Sequence, residues 1–262
     1  MTRRPLDPSP ADPEAALAVR WRRLRGGVPS ALYLLGAAVV LLVVLVGVGL
    51  LLAKLLRDDP LGRADAAVSR WFAARRSGGL NDLTFLIAEL GGTLTITILA
   101  VLTVAASALA WRRWREPLLV AVAVAGEVTI FLVVTLLVDR PRPPVGQLDE
   151  APPTSSFPSG HTAAAIVLYG ALAVLARQRA RSALVRRLFL TLAVALPVLV
   201  AVSRVYRGMH FPSDVLGGVI LGGFWLLATV RGIRLGVLHR QLAAGHSRRP
   251  GWARRETALR DG

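Results

Sequence analysis

Six apolar runs, at about residues 32–52, 94–111, 117–138, 162–176, 188–202 and 215–230, constrain this chain more than any other feature. A membrane crossing needs about 20 residues of helix, and lipid admits only segments that satisfy their own backbone polar groups. The fold expected is therefore all-α: a polytopic membrane protein built as a six-transmembrane-helix bundle. Hydrophobic residues make up 54% of the 262, an unusual share for a soluble domain. The last three runs are short, which suggests that their polar ends lie inside the bundle, below the outer headgroups. The first run is too long, and the tail before it too extended, for a signal peptide. An uncleaved first span is expected.

The formal net charge is +16, and every basic residue but Lys54 is arginine. Nucleic-acid binders are also this basic, but here the arginines stand in short clusters between apolar runs, as topology determinants do. No nucleic-acid partner is expected. With the N-terminus inside, 22 of the 32 basic residues fall on the inner side and ten on the outer, Arg140, Arg142, Arg204 and Arg207 among the ten. The positive-inside rule then places both termini in the cytoplasm. Residues 1–30 and 235–262 read as basic, disordered cytoplasmic tails around a membrane domain at 31–234. Between the first two spans, Ala64, Ala67, Val68, Trp71 and Phe72 recur at helical spacing, and Leu83, Leu86, Ile87 and Leu90 repeat the pattern. Two helices lying at the outer interface are expected there. The lysine-poor composition, rich in Ala, Val, Leu and Gly, points to a high-GC bacterial genome. The absence of cysteine excludes disulfides, thiolate catalysis and cysteine metal sites.

On this topology three polar motifs share the outer face: Arg142-Pro143, Pro158-Ser159-Gly160-His161, and Ser203-Arg204 followed by His210 and Asp214. Such residues are costly at a membrane boundary unless they have a function. Gly160 and His161 directly precede an apolar helix, whose start offers free N–H groups and a positive dipole end to a phosphate. Ser159 adds a donor, and His161 can supply a proton near neutral pH. Pro212 suits the first position of a helix. His210 then falls just outside it, with Asp214 in the first turn, placed to accept one ring proton and leave the other nitrogen free to attack. Arg142 and Arg204 can each grip phosphate oxygens bidentately. These parts suit phosphoryl transfer, which depends chiefly on positioning and charge stabilisation.

Taken together, Arg-Pro, Pro-Ser-Gly-His and Ser-Arg-x5-His-x3-Asp resemble the type 2 phosphatidic acid phosphatases. These lipid phosphate phosphatases share their helical core with the vanadium haloperoxidases. The resemblance spans about residues 94–230. It implies that His210 is the phosphoryl-accepting nucleophile, Asp214 its supporting carboxylate and His161 the general acid. It also implies that Arg142, Arg204, Ser159 and the Gly160 amide hold the phosphate, with no metal or other cofactor. The family's first motif is Lys-x6-Arg-Pro, and here Thr135 stands at the lysine position. Either Arg140 or Arg207 replaces that cation, or the enzyme is slower and differently selective; the sequence does not choose among these. Glu127, midway along the third span, reads as a structural carboxyl or a functional one.

The expected function is hydrolysis of a membrane lipid phosphate or diphosphate on the outer face of the cytoplasmic membrane. Candidate substrates are a polyprenyl diphosphate, phosphatidylglycerol phosphate or phosphatidic acid, with orientation and composition tilting toward the first. A lipid-linked phosphotransferase and a catalytically weak lipid-binding or transport protein stay open as alternatives. Oligomeric state is not readable.

Overall fold

The computed structural model describes residues 28–247 apart from 58 and 112, with side chains from 29 to 237. The expected tails at 1–27 and 248–262 lie outside the described residues. All regular structure among the described residues is helical, with no strand. Helix α1 (Val28–Leu50) ends in a π turn at Leu51–Leu55. It is followed by α2 (Pro60–Ala73), α3 (Gly78–Glu89), α4 (Thr93–Trp111), α5 (Arg115–Leu137), α6 (Gly160–Arg179), α7 (Ala183–Tyr206) and α8 (Pro212–Ser247).

Among the described residues, six segments are long and apolar enough to cross a membrane: Pro29–Leu55, Gly78–Trp111, Arg115–Leu137, Gly160–Arg179, Ala183–Tyr206 and Pro212–Val237. The last three contain 20, 24 and 26 residues, so they are not short. The apolar runs underestimated them because Gly160, His161, Arg204 and Asp214 are helical residues that interrupt hydropathy without interrupting the backbone. Helix α8 also continues through Ser247, into a stretch expected to be tail.

The chain divides into two compact units, one of them Gly36–Val230 and the other the residues up to Leu35 with those from Arg231. In the latter, Gly232 lies against Leu34 and Gly236 against Ser30. The centre of the Gly36–Val230 unit is α6, which packs on α7, α5 and α4. Ala163, Ala165 and Ala171 are fully buried along α6, and small residues let membrane helices approach closely. One core cluster joins Ala165, Tyr169 and Val200, with Ile87, Leu90, Leu172 and Leu196 packed around it. Large apolar side chains such as Leu109, Leu136 and Leu184 face outward, as suits helices solvated by lipid.

Helix α2 reverses the usual amphipathic arrangement. Its apolar residues Val68 and Trp71 are exposed, whereas Asp65 and Ser69 are buried. Trp71 is therefore placed as an interfacial anchor would be, and the buried polar edge faces the rest of the unit. Between α3 and α4 the chain turns tightly at residues 90–92. A side chain at Gly91 would sit 2.8 Å from the His161 carbonyl oxygen, so only glycine lets this turn close over the start of α6.

Candidate active site

The segment between α5 and α6 is fixed by its own polar groups. The Ser156 amide donates to the Arg140 carbonyl at 2.9 Å, the Arg140 amide to Ser155 Oγ at 3.2 Å, and the Ser156 hydroxyl to the Pro141 carbonyl at 3.0 Å. Gly208, with φ +75°, makes the turn that carries the chain from α7 to α8. Only a residue without a Cβ adopts that conformation readily. Arg204 and Arg207 precede the turn and His210 follows it, and all three line one cavity.

Two polar assemblies result. The first is a buried ion network. Arg140 donates through Nη2 to Asp65 Oδ2 at 2.9 Å and through Nη1 to both Asp214 Oδ1 and Ser213 Oγ. The Ser213 amide donates to Asp65 Oδ1 at 3.1 Å, and its hydroxyl also donates to Asp65. Asp214 Oδ2 accepts from the Phe211 amide at 2.8 Å, and the Asp214 carbonyl accepts from the Ser159 amide at 2.9 Å. This network ties α2, the loop after α5 and the starts of α6 and α8 together.

The second assembly lines a cavity of about 730 Å³ that holds His161, His210, Arg142, Arg204, Arg207 and Gly160. His210 Nδ1 lies 2.7 Å from the Ser156 carbonyl oxygen. A carbonyl can only accept, so Nδ1 carries the proton and Nε2 keeps its lone pair. Burial first, then the charges of Arg204 and Arg142, hold the His210 imidazole well below its ordinary value of 6.5. Both effects favour the neutral ring. Arg142 Nη1 donates to the Met209 carbonyl at 2.7 Å. Arg204 Nη1 pairs with Asp149 Oδ2 at 2.8 Å, while its Nε is buried with no partner. Arg207 Nε lies 2.9 Å from both Asp149 oxygens, and its Nη1 donates to the Asn81 carbonyl at 2.7 Å and to Thr84 Oγ1 at 3.1 Å. Burial alone would raise the Asp149 carboxyl, but hydrogen bonds from Arg207 and the charges of Arg204 and Arg207 outweigh it and hold the group below its ordinary value.

Two histidines and three arginines thus converge on one cavity at one end of the bundle, from segments some seventy residues apart. Residues 116–235 match the sequence model of the PAP2 superfamily. Phosphatidylglycerophosphatase B of Bacillus subtilis (strain 168) is 30% identical over 174 residues, covering 66% of this chain and 85% of that protein. The chain belongs to the PAP2 superfamily. The crystal structure of a transmembrane PAP2-type phosphatidylglycerolphosphate phosphatase from Bacillus subtilis superposes with a TM-score of 0.65 at 28% identity, over 72% of this chain and 94% of that one. The protein is a multi-pass membrane lipid phosphatase of the PAP2 type.

Several residues stand elsewhere than the PAP2 motifs led one to expect. Asp214 is 4.0 Å from His210 Nδ1, and the Ser156 carbonyl makes the contact expected of it. The Asp214 carboxylate is engaged by Arg140 and the Phe211 amide instead. Arg140 was a candidate for the phosphate, but it is enclosed in the ion network and does not line the cavity. Arg207 does line it and brings a third positive charge there, although all three of its guanidinium nitrogens already donate, to Asp149, Asn81, Thr84 and Leu148. Ser159 is fully buried with its hydroxyl 3.0 Å from Thr162 Oγ1. Thr135 Oγ1 turns back onto the Leu132 carbonyl at 3.0 Å. The motifs gave no sign of Asp65, Asp149 or the Ser156 carbonyl. Among the described residues, no group of three His, Asp or Glu side chains is arranged to hold a metal ion.

Asp149 lies between Arg204 and Arg207, so its carboxylate competes with a phosphate for their positive charge. Replacing Asp149 by asparagine, similar in shape but neutral, should tighten competitive inhibition by inorganic phosphate roughly tenfold, or about 1.4 kcal/mol. An unchanged or weaker inhibition constant would mean that Asp149 only braces the arginines.

Proposed function

We propose that this chain hydrolyses a lipid phosphate or diphosphate in two steps through a phosphohistidine on His210. In the first step Nε2 of His210 attacks phosphorus, the bond to the lipid oxygen breaks, and His161 donates the proton that the departing oxygen needs. In the second, His161 takes a proton from water, whose oxygen attacks the phosphohistidine and releases inorganic phosphate. Arg142, Arg204 and Arg207, with the amide at the Gly160 helix start, offer positive charge to the non-bridging oxygens. The observation that carries this reading is the Ser156 carbonyl on His210 Nδ1, which leaves a neutral nucleophilic nitrogen beside three arginines and a second imidazole.

Phosphatidylglycerol phosphate is the first substrate to test, because the relative at 30% identity is a phosphatidylglycerophosphatase. Phosphatidic acid and a polyprenyl diphosphate follow. The arginine asymmetry supports an outer-face site with both termini in the cytoplasm. The test is phosphate release by the purified protein from each lipid in mixed micelles, with and without EDTA. Release that survives EDTA is expected for phosphatidylglycerol phosphate. Transfer of phosphate to a second lipid without free phosphate would overturn hydrolysis in favour of a phosphotransferase.

A further inference from the structure

The cavity continues beyond the arginines and histidines, and its far wall is built by α4 and α5. That wall is mostly apolar, formed by Ile96, Val124, Val128, Phe131 and Leu132, and is interrupted by Thr93, Thr97 and the one carboxyl of Glu127. Glu127 is 2% exposed, lines the same cavity as His161 and His210, and has no hydrogen-bond or ion-pair partner among the described residues. A polar group left unpaired inside a span is costly. Every other buried acid among the described residues of this unit has a partner. Asp65 and Asp214 share Arg140, and Glu116 pairs with Arg179. Glu127 is the exception, and it borders the space the substrate must fill.

Its depth can be read from the packing. The Phe131 ring lies on Gly160, where a Cβ would meet it at 2.9 Å, so Phe131 is level with the start of α6. Glu127 is one turn further back along α5, about 6 Å deeper. Helical side chains also lean toward the N-terminus of their helix, which carries the carboxyl further from the phosphate end. Thr93 and Thr97 of the facing helix α4 line the same cavity. The Glu127 carboxyl therefore stands below the phosphate position, where the part of the lipid just beneath its phosphate must pass.

Lipid phosphates differ in that part. In a glycerolipid the phosphate is followed within a few bonds by ester carbonyls or a hydroxyl, which can pair with a carboxyl as acceptor or donor. In a polyprenyl phosphate, hydrocarbon follows at once. Binding it would leave Glu127 buried against an apolar chain with no partner, and a site built for a hydrogen bond rejects the analogue that lacks it.

We infer that Glu127 is a specificity-determining residue that selects glycerolipid phosphates over polyprenyl phosphates. The inference rests on the lipid-phosphatase reading above. It is tested by comparing kcat/KM for phosphatidic acid and a polyprenyl monophosphate, two phosphomonoesters with the same reacting group. Wild type, Glu127→Gln and Glu127→Leu are each measured on both lipids in mixed micelles. Wild type should prefer phosphatidic acid by about 100-fold or more, within the range seen when a buried partner is lost. Glu127→Leu should lose activity on phosphatidic acid, gain it on the polyprenyl lipid, and bring the ratio to within a few-fold of one. Glu127→Gln, which keeps a hydrogen-bonding group, should retain most of the preference. A ratio that is the same in Glu127→Leu as in wild type, whatever the absolute rates, overturns the inference and leaves Glu127 a structural residue. Should Glu127→Leu not fold, a wild-type ratio near one, or a Glu127→Gln ratio below that of other cavity variants, has the same consequence. Wild-type protein that releases no phosphate from any lipid overturns the lipid-phosphatase reading itself, and this inference with it.

Discussion

Replacing His210 with alanine is expected to lower phosphate release by about 10⁴-fold or more, the scale on which removing a nucleophile acts in other enzymes. The expectation rests on chemistry that no neighbouring group can take over. Burial and two arginines disfavour a charge on His210, and its Nδ1 proton is committed to the Ser156 carbonyl. Arg142 and Arg204 would still bind phosphate in the alanine variant, so KM should move far less than kcat. His161→Asn separates the two steps. A substrate with a good leaving group, such as p-nitrophenyl phosphate, needs no proton from His161, so the first step should persist. The second step lacks its base, and an acid-labile phosphohistidine should accumulate at His210, visible as a burst of one p-nitrophenolate per enzyme. More than about a hundredth of wild-type turnover in His210→Ala, or a stable phosphoenzyme on another residue, would sink the mechanism.

The six spans and the converging residues were legible in the sequence, and the reason is local. Arg142, His161, Arg204 and His210 each sit beside an apolar run, and the alternation of spans sends those ends to one side. The helix ends were less legible, because hydropathy falls at His161 and Arg204 while the backbone stays helical. The roles of Arg140 and Asp214 were not legible at all. Both depend on Asp65, which lies 75 residues before Arg140 on a helix whose pattern only advertised its apolar face. The repeat Arg140-Pro141-Arg142-Pro143 concealed a division of labour. Proline-rich backbone favours an extended helix of three residues per turn, so side chains two apart project in different directions. One arginine reaches the cavity and the other the ion network. Asp149 was invisible for a different reason: an acid in a loop without periodicity gives no hint that it folds onto arginines more than fifty residues later.

Arg140→Met should destabilise the protein more than any other single change at the site. Arg140 lies between Asp65 and Asp214, and all three side chains are at most 6% exposed. Removing the cation leaves two carboxylates buried beside each other without compensation, a change that typically costs about 3–5 kcal/mol. Spread over a chain of this size, the loss is a fall of roughly 10 °C in Tm, measurable by thermal unfolding in detergent. Adding Asp65→Asn to Arg140→Met should recover part of the loss, because it removes one of the two orphaned charges. The two substitutions should therefore be strongly non-additive. Arg204→Met gives the contrast. Arg204 lines the cavity and leans on a half-buried Asp149, so its loss should weaken substrate turnover and move Tm much less. The comparison separates the two roles open to Arg140. If its guanidinium gripped substrate phosphate, Arg140→Met would behave like Arg204→Met, raising KM with Tm nearly unchanged. If it holds α8 against α2, activity and stability fall together, and Asp65→Asn rescues both in part. The second outcome is expected, because Asp65, Asp214 and Ser213 hold the Arg140 guanidinium inside the ion network and away from the cavity that the two histidines line.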